Sequence, residues 1–449
     1  MIEGTLAAAG AAMRGRLSGE DRGFRGISSD TRTLAAGELY FALRGPNFDG
    51  AAFVGNAAAK RAAGAVLHEP ADSALPAIVV EDTRRALGTL AADWRRRLPV
   101  RLVGLTGSMG KTTLKEMLAS CLGLAAPTLA TRGNLNNDVG LPLMLAELDA
   151  AHRYAVIEMG ANHFGEIAWL TALARPEIAI ITNAGPAHLE GFGDLEGVAR
   201  AKGEILGGEA RPAHAVLNAD DPYCGYWRTL AADVPVTSFG LAEGADVRAV
   251  DIEQGADRSR FRLLANGVDL DVDLPLVGTH NVVHACAAAA SAFLLGLDAD
   301  TVRRGLEAVR PVSGRLRPLA ARHGATVYDD SYNANPASVI AAAEFLARQP
   351  GPAWLALGDM RELGGDAPAL HRHVGRCVRE AGVDRLYAAG PLSRHCAEGF
   401  GENARWFASV EELAAALTGE LAAGVKVLVK GSRAMQMERV VAALRDQRN

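Results

Sequence analysis

Val100-Arg101-Leu102-Val103-Gly104-Leu105-Thr106 runs straight into Gly107-Ser108-Met109-Gly110-Lys111-Thr112-Thr113. The first half is a short apolar run, read as a buried strand over 100–105. The second is a glycine turn closed by a lysine and two threonines, with a helix expected from Thr112 to about Cys121. Strand, glycine turn and helix form the context in which a loop cradles phosphate. Backbone N–H groups point into the turn, the helix N-terminus adds its dipole, and a lysine reaches the outer phosphates. Gly107, Ser108, Met109, Gly110, Lys111, Thr112 and Thr113 are therefore candidates for ATP binding, with the Thr112 hydroxyl placed for Mg²⁺. The longer GxxxxGK[ST] pattern wants a glycine where this chain has Leu105, so the loop is the shorter GxxGKT form. Switches, kinases, helicases and ligases all use such loops, so the loop points to a fold before it points to a reaction.

Outward from the loop the chain alternates strand and helix. Runs at 154–157 and 178–182 read as further buried strands, which argues for a parallel sheet with helices on both faces. The stretch 234–275 differs: short alternating runs, such as 268–274, suggest an antiparallel edge. An alanine-rich helix is expected over 281–296, and Pro311 and Gly314 mark a boundary. Before the loop, strands are expected over 39–43, 64–68 and 77–80, with 95–99 as a linker. After the boundary, strands are expected over 326–328, 354–357, 386–388 and 425–429, and a last helix from about 434 to 445. The 449 residues accommodate three domains at about 100–200 residues each. The expectation is an α/β protein of three domains: a first domain over 1–98, a central P-loop, parallel-sheet, ATPase-like domain over 99–312, and a C-terminal Rossmann-like domain over 313–449.

Composition narrows the partners. The chain is 49% hydrophobic and carries a net charge of −5, with no extended basic face, so nucleic acid is not an expected partner. The densest cationic run, Arg95-Arg96-Arg97, reads as a solvated helix end. Five scattered cysteines with no CxxC pair suit a reducing compartment, and a cytoplasmic location is expected. The N-terminal stretch has Glu3 where a signal peptide would be positive, and it reads as an amphipathic helix. No apolar run is long enough to span a bilayer. Nothing in the sequence demands more than a monomer.

Three side chains beyond the loop stand out. Glu158 ends the strand over 154–157, and ligands collect at that end of the strands in open α/β sheets. It can hold Mg²⁺ opposite Thr112, or cap the following turn. His188 lies just beyond the strand over 178–182, as a metal ligand or a structural histidine. Lys202, taken alone, reads as an exposed helix lysine.

Longer motifs carry a resemblance over essentially the whole chain. They are Ser29-Asp30-Thr31-Arg32, Asn47-Phe48-Asp49-Gly50, TGSMGKTTLKEM from Thr106, TRGNLNNDVGLP from Thr131, EMGANHFGEI from Glu158, HLEGFGDLEGVARAKGEI from His188, GTHN from Gly278, SGRLRP from Ser313, DDSYNANP from Asp329, GDMRELG from Gly358 and KGSRAMQME from Lys430. The chain resembles the Mur ligases of peptidoglycan synthesis. GDMRELG stands where the member adding the third peptide residue usually shows Asp-Asn-Pro-Arg, which favours the dipeptide-adding member. The first-domain segments argue against a folylpolyglutamate synthase, and a non-ligase nucleotide switch is the rival from another class.

The resemblance implies an ATP-dependent ligase that activates the carboxylate of a UDP-N-acetylmuramoyl tripeptide as an acyl phosphate and joins it to D-alanyl-D-alanine. It implies Lys111, Glu158, His188, Lys202 and Arg315 as catalytic residues. It implies two Mg²⁺ ions, with Thr112, Glu158, His188 and a CO₂-derived carbamate on Lys202 as ligands. His280 and Asn281 match an adenine-proximal pair, Arg315 an ATP-phosphate contact and Asp330 a ribose contact. Asp30, Thr31 and Arg32 match part of the uridine-nucleotide pocket. Asn134, Asn136 and Asn137 are assigned to the muramyl peptide, and Asn333 and Asn335 to the dipeptide or nucleotide. The pattern's second asparagine after Asn281 is replaced by His284, which is given no ATP role.

Overall fold

The structure, a computed structural model, describes residues 1–45, 48–70, 74–186 and 189–445. Its centre is a nine-stranded sheet. In spatial order the strands are Thr128–Ala130, Tyr154–Glu158, Arg101–Thr106, Ile178–Ile181, His214–Asn218, Val236–Gly240, Val247–Gln254, Ser259–Ala265 and Leu274's strand, Val268–Leu274. Pairing is parallel as far as Val247–Gln254 and antiparallel over the last two pairs. The expected antiparallel edge is present, but it begins at residue 247; Val236–Gly240 is still a parallel strand.

The central strands are apolar throughout because both faces are covered. Val103, Leu105, Val156, Ile178 and Ile180 join a core with the helices Lys111–Ala125 and Thr279–Leu294. The alternate residues Leu102, Ala155, Ile157, Ala179 and Ile181 join a second core with the helix Glu166–Ala174. The loop helix buries Leu114, Met117, Leu118, Cys121 and Leu122, a stripe at the three-and-four spacing that keeps one helix face on the sheet.

Before this sheet lies a five-stranded one, ordered Arg16–Ser18, Ala77–Val79, Gly64–Leu67, Leu39–Phe41 and Ile27–Ser28, with only the first pair antiparallel. After it lies a six-stranded sheet, ordered Arg317–Ala320, Thr326–Asp330, Lys426–Lys430, Ala353–Gly358, Arg385–Ala389 and Ala404–Phe407, again antiparallel only at its first pair. The last helix is Glu438–Leu444, shorter than expected at its start, because a left-handed Gln436 separates it from a 3₁₀ turn.

The segment expected as a linker is not one. The helix Thr83–Arg96 runs through its first half and buries Ala91 and Ala92 in the central core. Trp94 Nε1 donates to the Leu148 carbonyl at 2.9 Å. Arg95 is half-buried and donates to the carbonyls of Ala174, Leu98 and Val100. Arg95 is therefore a clamp between the first and central sheets, whereas Arg96 and Arg97 pair with Asp93 at the surface. No helix among the described residues is long and apolar enough to cross a membrane.

Candidate active site

The phosphate loop hangs between two strand ends. Gly107 has φ +146°, and a Cβ there would lie 1.9 Å from Thr182 Oγ1. Gly110 has φ +81° and caps the loop helix; a Cβ there would lie 1.9 Å from His284 Nε2. Both positions need glycine for space as well as for backbone angle. The neighbouring strand end fastens the loop. Asn183 Oδ1 accepts from the Met109 N–H at 2.9 Å, Thr182 Oγ1 donates to the Met109 carbonyl at 2.7 Å, and Ser108 Oγ exchanges hydrogen bonds with Gly185. Gly110→Ala is expected to raise the KM for ATP by about tenfold or more and to destabilise the fold by about 1–3 kcal/mol. Adding His284→Ala should recover only part of this loss, because the left-handed backbone remains. Nucleotide titration and thermal melts of the single and double variants check it.

Beyond the loop opens a cleft of about 460 Å³. Its floor carries Lys111, whose Nζ donates to the Gly107 carbonyl at 2.7 Å. Thr112 Oγ1 donates to Glu158 Oε2 at 3.1 Å, and Asn136 Nδ2 donates to Glu158 Oε1 at 2.8 Å. Glu158 is buried, and its own N–H donates to Thr131 Oγ1. Burial lowers the Lys111 pKa, Glu158 opposes that shift, and Arg315 reinforces it.

Lys202 reaches the same cleft from the helix Leu195–Gly203. It is 1% exposed, and its Nζ lies 5.3 Å from the centre of the Phe192 ring. Among the described residues it has no hydrogen-bond or ion-pair partner. Burial, with repulsion from Lys111, brings its pKa down to about 7. The sequence reading of an exposed helix lysine is thus overturned. His188 lies outside the described residues, as does Asn47.

The third sheet closes the cleft. Arg315 Nη2 is 3.4 Å from Thr112 Oγ1, and the guanidinium stacks 4.1 Å over the Tyr332 ring. Asn134, Asn136, Asn137 and Asn333 also line this cleft. Asn137 Oδ1 additionally accepts from the N–H groups of Val139 and Gly140, which begin the next helix.

A second, smaller cleft of about 160 Å³ lies on the other side of the loop, bounded by Thr113, His280, Asn281, His284, Asp330 and Asn335 among others. Asn281 Nδ2 donates to the Val277 carbonyl, and Asn335 caps the helix Pro336–Ala347 in a capping box. Asp330 takes a hydrogen bond from Lys430 Nζ at 2.7 Å and one from the Leu316 N–H. His284, given no role from sequence, packs edge-on to His280, and burial holds its pKa down at about 3. Its neutral ring fills the space against Gly110.

Asp30, Thr31 and Arg32 line neither cleft. They form a turn after Ile27–Ser28, in which Arg32 grips the Asp30 carboxylate and keeps it at a pKa of about 2. A wider open depression of about 740 Å³ on the antiparallel strands holds none of the candidates; its Arg262 is already paired with Asp251 and Asp269.

Sequence reasoning missed Asn183, Thr182, His284 and Lys430 as supports of the site. The dipeptide step Thr182-Asn183 at a strand end, and Lys430 at the head of KGSRAMQME, were visible signals. It also missed Lys115, a buried lysine that donates to the Thr131 carbonyl at 2.6 Å and so ties the asparagine loop to the loop helix.

Fold and site together define a phosphate-loop nucleotide-binding enzyme whose cleft is completed by a third, Rossmann-like sheet. Residues 105–292 match the Mur ligase middle domain and 314–433 the Mur ligase, glutamate ligase domain. The chain is 42% identical over 451 residues to UDP-N-acetylmuramoyl-tripeptide–D-alanyl-D-alanine ligase of Escherichia coli, covering 99% of each chain. Against the Bacillus subtilis ligase of the same name, identity is 31% over 98% of this chain and 96% of the relative. The crystal structure of MurF from Acinetobacter baumannii superposes with a TM-score of 0.92 at 37% identity, covering 98% of both chains. MurF ligase from Thermotoga maritima in complex with ADP gives 0.84 at 28%, covering 93% of this chain and 96% of that one. The chain belongs to the Mur ligase family.

Proposed function

We propose that this protein is an ATP-dependent ligase that joins D-alanyl-D-alanine to UDP-N-acetylmuramoyl tripeptide, giving the pentapeptide precursor of peptidoglycan. The observation that carries the reading is the meeting of Lys111, Thr112 and Glu158 with Arg315, from the turn that leads into the third sheet, across one cleft. Full-length likeness to ligases of that substrate pair supports the choice of substrates.

A carboxylate is a poor acyl donor, because its leaving group is oxide. Attack of the tripeptide's terminal carboxylate oxygen on the γ-phosphorus expels ADP and leaves an acyl phosphate. The dipeptide amine then attacks the carbonyl carbon, phosphate departs with the original carboxylate oxygen, and the amine loses its proton. The first step brings two anions together. Lys111 and Arg315 lower that repulsion by holding fixed positive charge beside the transferring phosphoryl group. The loop glycines and N–H groups hold the phosphate chain, and His280, Asn281 and Asp330 line the smaller cleft where adenosine would lie.

The donor set fits Mg²⁺, a hard cation that prefers oxygen. Thr112 and Glu158 would hold one ion; Glu158, His188 and a carbamate on Lys202 would hold a second. Bound there, Mg²⁺ offsets phosphate charge. The fit of a carbamate rests on Lys202 being a buried amine without an anionic partner, with a pKa brought down to about 7, so that much of it is neutral and able to add CO₂ near neutral pH. Lys202→Ala is expected to lower kcat by about a hundredfold. Short carboxylates such as acetate should restore part of it by supplying the missing oxygens. Wild-type turnover by the alanine variant without added carboxylate contradicts the carbamate.

The domains divide the labour: residues 1–98 for the UDP-sugar, with Asp30, Thr31 and Arg32 in its uridine pocket; 99–312 for ATP; and 313–449 for the dipeptide. Asn134, Asn136 and Asn137 position the muramyl peptide, while Asn333 and Asn335 face dipeptide or nucleotide. The enzyme acts as a cytoplasmic monomer, in keeping with five free cysteines. The direct test is phosphate release from ATP. It should require both the UDP-linked tripeptide and D-alanyl-D-alanine, and turnover indifferent to both substrates would instead mark a nucleotide switch.

A further inference from the structure

One turn after Thr112 on the loop helix, and on the same face, stands Lys115, which is only 2% exposed. Its Nζ donates to the Thr131 carbonyl at 2.6 Å and pairs with Glu116 Oε1 at 2.6 Å. Glu116 is partly open to solvent, whereas the bond to Thr131 is buried.

Thr131, itself buried, is held from three directions. Its carbonyl takes the Lys115 ammonium, its N–H donates to the Val156 carbonyl at 3.0 Å, and its Oγ1 accepts the Glu158 N–H at 2.9 Å. Thr131 also opens the asparagine loop, and the far end of that loop returns to the same glutamate. Asn136 Nδ2 donates to Glu158 Oε1 at 2.8 Å, and the Gly160 N–H donates to the Asn136 carbonyl at 2.8 Å. A Cβ on Gly160 would lie 3.0 Å from Asn136 Oδ1, so the loop is seated directly on the end of the strand.

The loop helix therefore meets Glu158 by two routes. One is direct, from Thr112 Oγ1 to Glu158 Oε2. The other runs from Lys115 through Thr131 to the Glu158 backbone. Both start on one helix, one turn apart, and they end on the carboxylate and the backbone of one residue. Together they fix the carboxylate against the Thr112 hydroxyl. Two oxygens from different elements can share an ion well only if their spacing is set before the ion arrives. An apolar side chain at 115 would fill the space but leave the buried Thr131 carbonyl without its ammonium donor. The outer fastening of the asparagine loop, Arg84 to Asp138, joins two side chains each at least 40% exposed and is a weak substitute.

We propose that Lys115 is a positioning residue for the Mg²⁺ site: through Thr131 it holds Glu158 and the asparagine loop at the spacing from Thr112 that a divalent cation bridges. The inference rests on the reading of Thr112 and Glu158 as metal ligands.

Mn²⁺, followed by electron paramagnetic resonance on the full enzyme with ADP, reads the site without turnover. Lys115→Met is expected to raise the Mn²⁺ dissociation constant of the ADP complex by about tenfold or more, and the Mg²⁺ concentration for half-maximal ligation by a similar factor. ADP binding without metal, measured by calorimetry, should stay within about twofold of wild type, because Lys111 and the loop N–H groups are untouched. Thr131→Val keeps the carbonyl but removes the acceptor for the Glu158 N–H, and it should weaken Mn²⁺ in the same direction. The double variant should exceed the larger single effect by less than about twofold, because both residues act through one chain of contacts. Glu116→Gln should match wild type; a loss as large as that of Lys115→Met would assign the effect to the ion pair and overturn the route through Thr131. If Lys115→Met does not fold, Thr131→Val carries the test. Mn²⁺ affinity within about twofold of wild type in the variant that folds overturns the proposal, as do equal losses in metal-free ADP binding and in Mn²⁺ affinity. A Glu158→Gln enzyme that binds Mn²⁺ as wild type does would instead sink the metal-ligand reading beneath it.

Discussion

Lys111→Met will cut kcat by about three orders of magnitude while the protein remains folded. The side chain sits in the loop that holds the phosphates, within the field of Glu158 and Arg315, and burial already disfavours its charge. The site tolerates that cost because an anionic γ-phosphate must be approached by an anionic carboxylate. A methionine keeps the packing of the stem and removes only the charge, so the loss isolates electrostatic stabilisation of the transferring phosphoryl group. Binding of the UDP-tripeptide should change little. A melting temperature near wild type, with single-turnover ADP formation slowed about a thousandfold, is the expected pair of results. A kcat within tenfold of wild type would remove Lys111 from the chemistry.

Arg315→Ala will cost about a hundredfold to a thousandfold in kcat, and Arg315→Lys will recover little of it. Arg315, in the turn before the third sheet's first strand, reaches to within 3.4 Å of Thr112 Oγ1, with its plane stacked on Tyr332. Its charge therefore meets the phosphates only when the third and central sheets are together. The stacked, planar guanidinium is held in one orientation, which a lysine cannot reproduce. The alanine variant should bind ATP with modestly reduced affinity yet fail to form ADP rapidly when the tripeptide is added. Equal losses in ATP binding and turnover would indicate a role in nucleotide affinity alone.

The parts of this site that the sequence made legible are those whose chemistry is local. The loop needs a strand before it, glycines at left-handed positions and a helix after it, and all three lie within about twenty residues. Glu158 was legible as a strand-end acid because an apolar run of strand length stops there. Lys202 was not, because its burial comes from packing of the helix Leu195–Gly203 under Phe192 and against the central core, contacts that no local pattern encodes. Arg95 misled for a related reason: three cationic residues in a row look solvated, but the first of them folds back on the carbonyls of Leu98 and Val100 and also reaches the distant carbonyl of Ala174. His284 was set aside because it departs from the family pattern, and only the approach of its ring to Gly110 shows what it does. The parallel central sheet followed from the alternation of strand and helix patterns. The start of the antiparallel edge did not, because Val236–Gly240 reads alike in either pairing.

The acyl phosphate is the intermediate on which ligation depends, and isotope transfer reads it directly. With the terminal carboxylate of the UDP-tripeptide labelled with ¹⁸O, the first step places one labelled oxygen between carbonyl carbon and phosphorus, and the second step expels it with the phosphate. Mass spectrometry of the inorganic phosphate released during ligation should show one ¹⁸O per phosphate at the enrichment of the starting carboxylate. Unlabelled phosphate, formed alongside pentapeptide product, would contradict the account.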